Sequence, residues 1–347
     1  PKEYRDKGKI KVIGAGRKSP YSSSHTNYTE STITISSSGA YAGYVWIHDY
    51  PIWASDCTVI RVNEKIDIQY LYLFLKSKQS LIYSFQSGAG QPHVYWKNVK
   101  NIEINLPTLT KQKEIASVLD KVQELISLRK ESIKKLDELS KSIFIDMFGE
   151  PFNNPHQFEI KELAKITDKI TDGTHKTPLY TEKGIVFLSA KNVKNETLNF
   201  DNCKYISKEE HIQLIKRCNP EYQDILLTKS GSTGMSTLVP KIDFEFSLFE
   251  SLSLIKFNKN ILNPYYLKSL LNSESTKFQY SKFIKGVAIK HLHLTDIRKL
   301  KVLYPTIELQ NKYAIIIEKI EEQKSLYEEE LEKLEENFKA LLQKSFN

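Results

Sequence analysis

A chain of 347 residues is long enough for about two domains, each with its own buried core. Its 40% hydrophobic and 27% charged residues are typical of folded globular protein and exclude a largely disordered chain. The net charge of +8 permits an acidic partner, for which nucleic acid is the commonest candidate. Apolar runs fall short of the roughly 20 residues of a membrane span, and the charged start is unlike a signal peptide. We therefore expect a cytoplasmic protein without membrane contact.

Short strands separated by polar turns are predicted in both halves of the chain. They cover residues 10–13, 32–35, 58–62, 102–106, 184–189, 224–227 and 252–257. A short helix is predicted over residues 264–271, because Asn263 is a good helix cap and Pro264 suits the first turn. The mixture indicates an α+β or β-rich mixed class.

Two long helices are predicted from ladders of mostly apolar residues spaced alternately four and three apart, the 3.5-residue period of a coiled coil. The second ladder repeats the first at an offset of 198 residues. The predicted apolar seam consists of Ile115, Leu119, Val122, Ile126, Ile133, Leu136 and Ile143 in the first helix and of Ile317, Ile320, Leu331, Leu334, Phe338 and Leu341 in the second. Arg129, Ser140, Lys324 and Tyr327 interrupt it. These residues set the register, mark where partner helices pack, or extend their polar ends out of the seam.

The repeat extends beyond the helices. Gln112 and Gln310 match at the same offset, as do the Leu-Pro-Thr and Tyr-Pro-Thr segments just before each helix. Further back the spacing slips, as loop insertions allow, and Tyr70 falls opposite Tyr265. A period of this length is too long for a solenoid and indicates a domain duplicated in tandem.

The link between the first helix and the second domain is short. Gly149 can adopt the left-handed conformation that ends a helix, and Pro151 cannot continue one. Such a link favours a second helix that returns along the first.

We therefore predict an α+β chain of two tandem mixed α/β domains, each followed by a long helix, with the helices in an antiparallel coiled coil of pseudo-twofold symmetry. The predicted boundaries are residues 1–107 for the first domain, 108–149 for the central helix, 150–157 for the linker, 158–305 for the second domain and 306–347 for the C-terminal helix.

Pseudo-twofold symmetry suits duplex DNA, on which two half-sites repeat at a spacing set by helical pitch. Because the two domains differ in sequence, we expect them to recognise two different half-sites.

Polar loops in both domains are candidates for contacts with phosphates and base edges. They combine small residues, hydroxyls, lysines and histidines. The candidate DNA-binding residues are Arg17, Lys18, Ser36, Ser38, Tyr41, Gln91, His93 and Lys97 in the first domain, and His175, Lys176, Lys191, Lys229, Ser230, Ser232, Thr233, Lys285, Lys290 and His291 in the second. The alternative is that these loops are ordinary solvated turns.

Catalytic motifs are not recognisable. Residues 13–17 carry only half of a dinucleotide-type glycine fingerprint, and the Asn-Pro-Tyr-Tyr segment at 263–266 is better explained as a helix cap than as a methyltransferase tetrapeptide. His291 and His293 have no acidic or cysteine ligand near them in sequence, and the three cysteines form no C-x-x-C pair, so we expect no metal site. The sequence therefore supports binding rather than turnover.

Residues 106–149 look like the central region of Type I restriction-modification specificity subunits. Residues 39–44 (GAYAGY) and 51–56 (PIWASD) are similar to part of their first target recognition domain, and the Asp-Gly-Thr-His loop at 172–175 resembles the opening loop of their second. The resemblance covers essentially the whole chain. The chain departs from it at the start, where fewer residues precede the first strand than precede its counterpart, so we expect the first domain to be N-terminally incomplete.

The resemblance implies a non-catalytic subunit that reads a bipartite, asymmetric sequence in double-stranded DNA, with one part read by each domain. The helices would then set the gap and dock the partners, which are two methyltransferase (M) subunits for adenine methylation, with or without restriction (R) subunits for host defence. No cofactor would be bound by this chain, whereas S-adenosylmethionine, ATP and Mg would be bound by partner subunits. The alternatives are a methyltransferase-only or related system, an enzyme with divergent motifs, and a coiled-coil scaffold that does not bind DNA.

Overall fold

The computed structural model describes residues 5–16, 19–88, 90–283 and 291–346. The chain divides into two compact units, one made of residues 1–132 with 327–347 and the other of residues 133–326. Each unit therefore combines one globular domain with part of both long helices. Among the described residues, neither the long helices nor the shorter ones have the length and apolar character needed to cross a bilayer.

The first unit is a mixed α/β domain with two three-stranded sheets. Its elements are β1 (Arg5–Ile13), β2 (Ser22–Ser23), β3 (Thr32–Ser36), β4 (Val45–His48), β5 (Ile52–Ala54), β6 (Cys57–Ile60), α1 (Ile68–Ser77), α2 (Gln79–Ser84), α3 (Trp96–Val99) and the first part of α4 (Leu109–Phe148). One sheet has the order β2-β1-β5, and the other has the order β4-β3-β6. Strands β1 and β5 are parallel, whereas β3 is antiparallel to both of its neighbours.

The second unit contains the corresponding elements and several more. They are β7 (Glu159–Glu162), β8 (Lys169–Asp172), β9 (Tyr180–Thr181), β10 (Ile185–Leu188), β11 (Val193–Lys194), β12 (Thr197–Leu198), β13 (Lys204–Ile206), α5 (Lys208–Ile215), β14 (Ile225–Thr228), β15 (Ser236–Leu238), β16 (Phe246–Leu248), β17 (Leu252–Lys256), α6 (Pro264–Asn272), α7 (Glu274–Phe283), α8 (Leu294–Arg298), β18 (Lys301–Tyr304) and α9 (Ile307–Phe346). Its two larger sheets have the orders β16-β10-β13-β9 and β15-β14-β17-β8, and β7 pairs with β18.

The two domains share a strand framework. The parallel pair β1 and β5 corresponds to the parallel pair β10 and β16, and the order β4-β3-β6 corresponds to β15-β14-β17. In the second domain β8 pairs with the outer side of β17, whereas in the described part of the first domain β6 has no such neighbour.

The strand predicted over residues 102–106 does not form. Its counterpart in the second domain, β18, is a strand because it pairs with β7. The described part of the first domain has no strand that corresponds to β7. Without a neighbouring strand to pair with, the apolar segment forms no regular structure, and the prediction is wrong at this point.

A buried glutamine joins each long helix to the domain before it. The side-chain amide of Gln112 donates to the carbonyl of Pro107 at 2.9 Å, and its oxygen accepts a bond from the backbone amide of Asp67 at 2.9 Å. Gln310 makes the equivalent bonds at the start of α9, 2.9 and 2.8 Å long. The duplication inferred from sequence thus extends to individual hydrogen bonds.

Buried tyrosines correct the sequence alignment of the two domains by one residue. The hydroxyl of Tyr70 in α1 donates to the carbonyl of Asn105, and the hydroxyl of Tyr266 in α6 donates to the carbonyl of Leu303, each at 2.9 Å. The counterpart of Tyr70 is therefore Tyr266 and not Tyr265. Adjacent tyrosines made this shift invisible in the sequence.

Every predicted seam residue of α4 and α9 is buried or half-buried, as an apolar seam requires. In the first unit Leu119 belongs to a cluster against which Phe338 and Leu341 pack. In the second unit the rings of Phe148 and Tyr313 meet with their centroids 5.3 Å apart.

Within each unit, the two helices run antiparallel. In the first unit Leu119 lies near Phe338, and the later residue Arg129 pairs with the earlier residue Glu330. The second unit shows the same reversal, because Asp137 pairs with Lys324 while Phe148, further along α4, meets the earlier Tyr313. The antiparallel pairing predicted from the short linker is therefore present in both.

Arg129, Lys324 and Tyr327 in the seam find partners on the opposite helix, whereas the Ser140 hydroxyl donates to the carbonyl of Leu136 on its own helix. The Arg129 guanidinium lies 3.9 Å from the centroid of the Tyr327 ring and pairs with Glu330 at 2.7 Å. Lys324 pairs with Asp137 at 2.6 Å. Because these contacts match particular residues across the helix pair, they favour the interpretation that the polar residues set the register.

We predict that Leu119→Ala lowers the free energy of unfolding by about 2 to 5 kcal/mol, because it opens a cavity in the packed seam. Leu119 is 1% exposed, whereas Leu128 on the same helix is 51% exposed. Leu128→Ala is therefore the matched control and should change the free energy by no more than about 0.5 kcal/mol. Urea unfolding followed by circular dichroism measures both. Equal effects of the two substitutions would contradict the assigned seam.

Candidate nucleic-acid interface

Two loops that the sequence singled out separately lie together in the first domain. Ser38 and His93 form an antiparallel bridge. The amide of Gly39 donates to the carbonyl of Pro92 at 2.9 Å, and the amide of Val94 donates to the carbonyl of Ser37 at 3.0 Å. The loop after β3 and the loop before α3 thus form one composite surface.

The second domain repeats this arrangement. Ser230 and His291 form the equivalent antiparallel bridge, and the amide of Leu292 donates to the carbonyl of Lys229 at 2.8 Å. This bond is the counterpart of the one between Val94 and Ser37. Each domain therefore carries a paired-loop surface, formed by residues 36–43 with 87–88 and 90–94 in the first domain and by residues 228–234 with 291–293 in the second.

A glycine closes the first loop of each paired-loop surface. The amide of Gly43 donates to the carbonyl of Ser36 at 2.7 Å, and that of Gly234 donates to the carbonyl of Thr228 at 2.9 Å. Both glycines have positive φ, +89° and +88° respectively, which disfavours a side chain. At Gly234 a Cβ would also lie 2.5 Å from the ring of Tyr280. The chain therefore turns back at the same point in both domains.

Most described candidates are accessible. Tyr41, Gln91, Lys97, His175, Lys176, Lys191 and Ser232 are exposed, and His93, Ser230, Thr233 and His291 are half-buried. Their contact with DNA remains a prediction. Arg17, Lys18, Lys285 and Lys290 lie outside the described residues.

Three candidates are buried, which corrects their assignment as a surface for DNA. Ser36 and Ser38 lie inside the first domain, where the Ser38 hydroxyl donates to the carboxylate of Asp56. Lys229 is buried in the second domain, and its ammonium group donates to Asp172 at 2.5 Å. Sequence position at the end of a strand did not reveal that these side chains point inward. In this structure they support the loops rather than extend from them.

A buried carboxylate lies beneath the paired-loop surface of the second domain. Besides Lys229, Asp172 accepts hydrogen bonds from Arg217 and, at 3.2 Å, from Nε2 of His175. Burial alone would raise the pKa of Asp172, but the hydrogen bond and charge of Lys229, followed by those of His175, outweigh it and hold the pKa below its ordinary value. Asp172 is thus ionised at neutral pH.

The surroundings of His291 lower its pKa and so favour its neutral form. Burial lowers its pKa below the ordinary value, and the nearby charges of Lys229 and His293 lower it further. A neutral imidazole offers one donor and one acceptor, which suits recognition of base edges better than neutralisation of phosphate.

Some residues of this region were missed in the sequence. Arg217 reaches Asp172 from 45 residues away, so no local pattern could connect them. In the first domain Tyr95 and Trp96, each 49% exposed, adjoin the paired-loop surface, and the Tyr95 ring stacks on His93 with centroids 5.9 Å apart. The sequence signal for these two residues was that two aromatic residues follow each other directly after the candidate loop. Within the described ranges no three His, Cys, Asp or Glu side chains are grouped so that they could hold a metal ion.

We predict that His291 titrates with a midpoint below 6.5, the ordinary histidine value. Its neutral form is favoured by burial and by the neighbouring positive charges. The midpoint is measured from imidazole chemical shifts in an NMR pH series, with the signal assigned by its loss in His291→Asn. A midpoint at or above 6.5 would show that the ring is more solvated, or closer to a carboxylate, than the structure places it.

The chain matches a known protein family and several of its members. The family model described as Type I restriction modification DNA specificity domain matches residues 1–138 and 155–336. The chain is 25% identical over 335 residues to the Type I restriction enzyme MjaVIII specificity subunit of Methanocaldococcus jannaschii, covering 90% of this chain and 77% of that protein. It is 22% identical over 305 residues to the Type I restriction enzyme EcoBI specificity subunit of Escherichia coli, covering 78% and 64%.

Solved structures share the fold. The crystal structure of the Type-I restriction-modification system S subunit from M. genitalium matches with a TM-score of 0.65 and 18% identity, covering all of this chain and 91% of that one. A structure described as showing complex assembly and conformational transition of the type I R-M system matches with a TM-score of 0.56 and 16% identity, covering 96% and 90%.

These matches confirm the resemblance read from the sequence and the expectation of a recognition subunit rather than a catalytic one. With the family model spanning both domains and most of both helices, the chain belongs to the family of Type I restriction modification DNA specificity domains.

Proposed function

We propose that this specificity subunit reads a bipartite, asymmetric sequence in double-stranded DNA, with one part read by each domain. The observation that carries the proposal is the paired-loop surface, which is built twice on the same backbone bonds. A serine and a histidine form the bridge in both domains, Ser38 with His93 and Ser230 with His291, whereas the residues that follow differ, Tyr95 and Trp96 in the first domain and His293 and Leu294 in the second. A shared frame with different side chains suits two different half-sites.

The chemistry of the accessible loop residues supports DNA as the ligand. Lys97, Lys176 and Lys191 are exposed and can neutralise phosphates, in keeping with the net charge of +8. The half-buried His291 is neutral and can hydrogen-bond to base edges. Phosphate contacts would orient each domain on the duplex, and base contacts would give sequence preference.

We further propose that the paired helices recruit two methyltransferase (M) subunits. Apolar side chains outside the seam remain exposed on both helices, and where they lie together, as Leu139, Ile315 and Ile316 do along one groove, they suit a protein interface. They include Val118, Leu125, Leu128 and Leu139 on α4 and Ile315, Ile316 and Leu326 on α9. S-adenosylmethionine would be bound by these partners, and ATP and Mg by restriction (R) subunits where these are present. In a methyltransferase-only system, the M subunits would dock in the same way and R subunits would be absent.

We predict that exchanging residues 158–303 for the matching segment of a relative with a different target changes only one half of the methylated motif. The reason is that each domain carries its own complete paired-loop surface. Methylome sequencing of cells that express the M subunits with either version gives both motifs directly. A change in both halves would refute the assignment of one half to each domain. If neither version supports methylation, the chain fits the alternative of a scaffold that does not bind DNA.

We predict that deleting one heptad from each helix, residues 122–128 together with residues 332–338, shortens the gap between the two half-sites. Seven residues correspond to about 10 Å of helix, or about three base pairs of DNA. The two segments lie opposite each other in the antiparallel pair, so the seam closes again. Deleting only residues 122–128 is the control and should destabilise the pair by misaligning it. An unchanged gap in the methylated motif of the double deletion would rule out the helices as the spacer.

A further inference from the structure

The carboxylate of Asp172 is buried and yet bonded to three side chains from three separate segments. Lys229 comes from the loop after β14, Arg217 follows α5, and His175 belongs to the loop after β8. The carboxylate is 1% exposed and the Lys229 side chain 3%, so water contributes little to solvating either charge. The two groups must therefore satisfy each other.

The backbone that follows Asp172 is hydrogen-bonded to the turn at residues 248–251, which also binds the backbone of Lys229. The amide of Thr174 donates to the carbonyl of Leu248 at 3.0 Å, and the amide of Glu250 donates back to the carbonyl of Thr174 at 3.0 Å. Between them, Gly173 lies so close to Leu248 that a Cβ would meet its carbonyl oxygen at 2.0 Å. The amide of Lys229 donates to the carbonyl of Ser251 at 2.8 Å. The loop after β8 is thus pressed against the same turn that supports Lys229.

His175 is oriented by two carboxylates. Its Nε2 lies 3.2 Å from Asp172 and its Nδ1 lies 2.9 Å from Glu250, while more than half of the side chain remains exposed. Both ring nitrogens are occupied, so the ring has one favoured orientation. An exposed ring held in this way is pre-organised for a ligand and loses little freedom on binding.

The first domain shows that the paired-loop surface does not need the ion pair. Ser37 stands where Lys229 stands in the second domain. Its carbonyl accepts from Val94 and its amide donates to the carbonyl of Asp56, which repeats the two backbone bonds of Lys229. The frame therefore forms with a serine at this position. What the Asp172–Lys229 pair adds is the attachment of the loop that carries His175.

A buried ion pair is also a poor source of stability, because desolvation of both charges offsets most of their attraction. Removing one partner is costly, however, because it leaves the other charge buried and unpaired. Such a pair enforces one arrangement of the segments that it joins. Here the joined segments are the loop with His175 and the paired-loop surface with Ser230 and His291.

We propose that Asp172 is a specificity-determining positioning residue of the second domain, which fixes His175 and the paired-loop surface as one reading surface for the second half-site. The inference rests on the proposed function, because it assigns a half-site to this domain. Asp172 itself does not contact DNA. It acts through His175 and through the loop of Lys229.

The test compares four complexes of the full chain with its M subunits: wild type, Asp172→Asn, Asp172→Asn with Lys229→Met, and the control Asp168→Asn, which removes the same charge at an exposed position four residues earlier. Methyl transfer from S-adenosylmethionine is measured on duplexes with the wild-type motif and with single substitutions in each half. Melting temperature is measured for every complex. The domain exchange described above identifies the half read by residues 158–303.

For Asp172→Asn we expect methylation of the intact motif to fall about tenfold or more, which is the effect of losing one base contact. Discrimination against substitutions should fall in the second domain's half and remain in the other. The double variant should recover most of the melting temperature, because no charge is left buried, but should not recover discrimination. Asp168→Asn should behave as wild type.

The proposal is overturned if the double variant recovers discrimination together with melting temperature, because Asp172 would then only balance Lys229. It is also overturned if Asp172→Asn keeps full discrimination or loses it equally in both halves. Failure of the proposed function looks different. In that case the wild-type complex itself would show no half of the motif that follows the exchanged domain.

Discussion

Each domain is completed by the far end of a long helix, and this reciprocal packing is the constraint on which the fold depends. In the first unit Phe346, in the last turn of α9, packs its ring 5.2 Å from that of Tyr70 and 5.8 Å from that of Phe74. In the second unit Phe148, in the last turn of α4, lies 4.7 Å from the ring of Tyr266. An isolated domain would lack this part of its core. Antiparallel pairing is therefore required for each core to close, in addition to any role in spacing.

The two domains share a framework of backbone and glutamine hydrogen bonds but differ in the side chains that this framework presents. The bonds that hold the framework come from backbone groups and from the buried glutamines Gln112 and Gln310, and they recur in both domains. Side chains on that framework differ, with the exposed Tyr95 and Trp96 in one domain where the exposed His293 and the half-buried Leu294 stand in the other. A backbone framework tolerates such exchanges because it places few demands on side-chain chemistry. The second domain adds a buried ion pair that the described part of the first does without.

The sequence predicted the periodic features of this fold well and the inward-facing polar residues poorly. The seam of α4 and α9 could be predicted because each apolar residue lies at a regular spacing, and regular spacing places residues on one face of a helix. The sequence singled out both loops of each domain, but it did not reveal that Ser38 lies against His93 or Ser230 against His291, because these contacts join segments that are distant in sequence. The strand over residues 102–106 could not be judged, because a strand depends on a partner that sequence pattern does not reveal.

The candidate site shows the same limit. Lys229 resembles an exposed phosphate ligand in sequence, being a lysine in a serine- and glycine-rich loop, yet it is buried against Asp172. The partner lies 57 residues away, and burial is decided by tertiary packing that a single sequence does not display.

The position of Phe346 at the end of α9 affects how the chain folds during synthesis on the ribosome. Because the first core closes only when the last turn of α9 arrives, the first domain to be translated is the last to finish packing. Chains released early would expose the apolar surface around Tyr70 and Phe74 to chaperones and proteases, so only chains translated at least as far as Phe346 would accumulate with both domains intact.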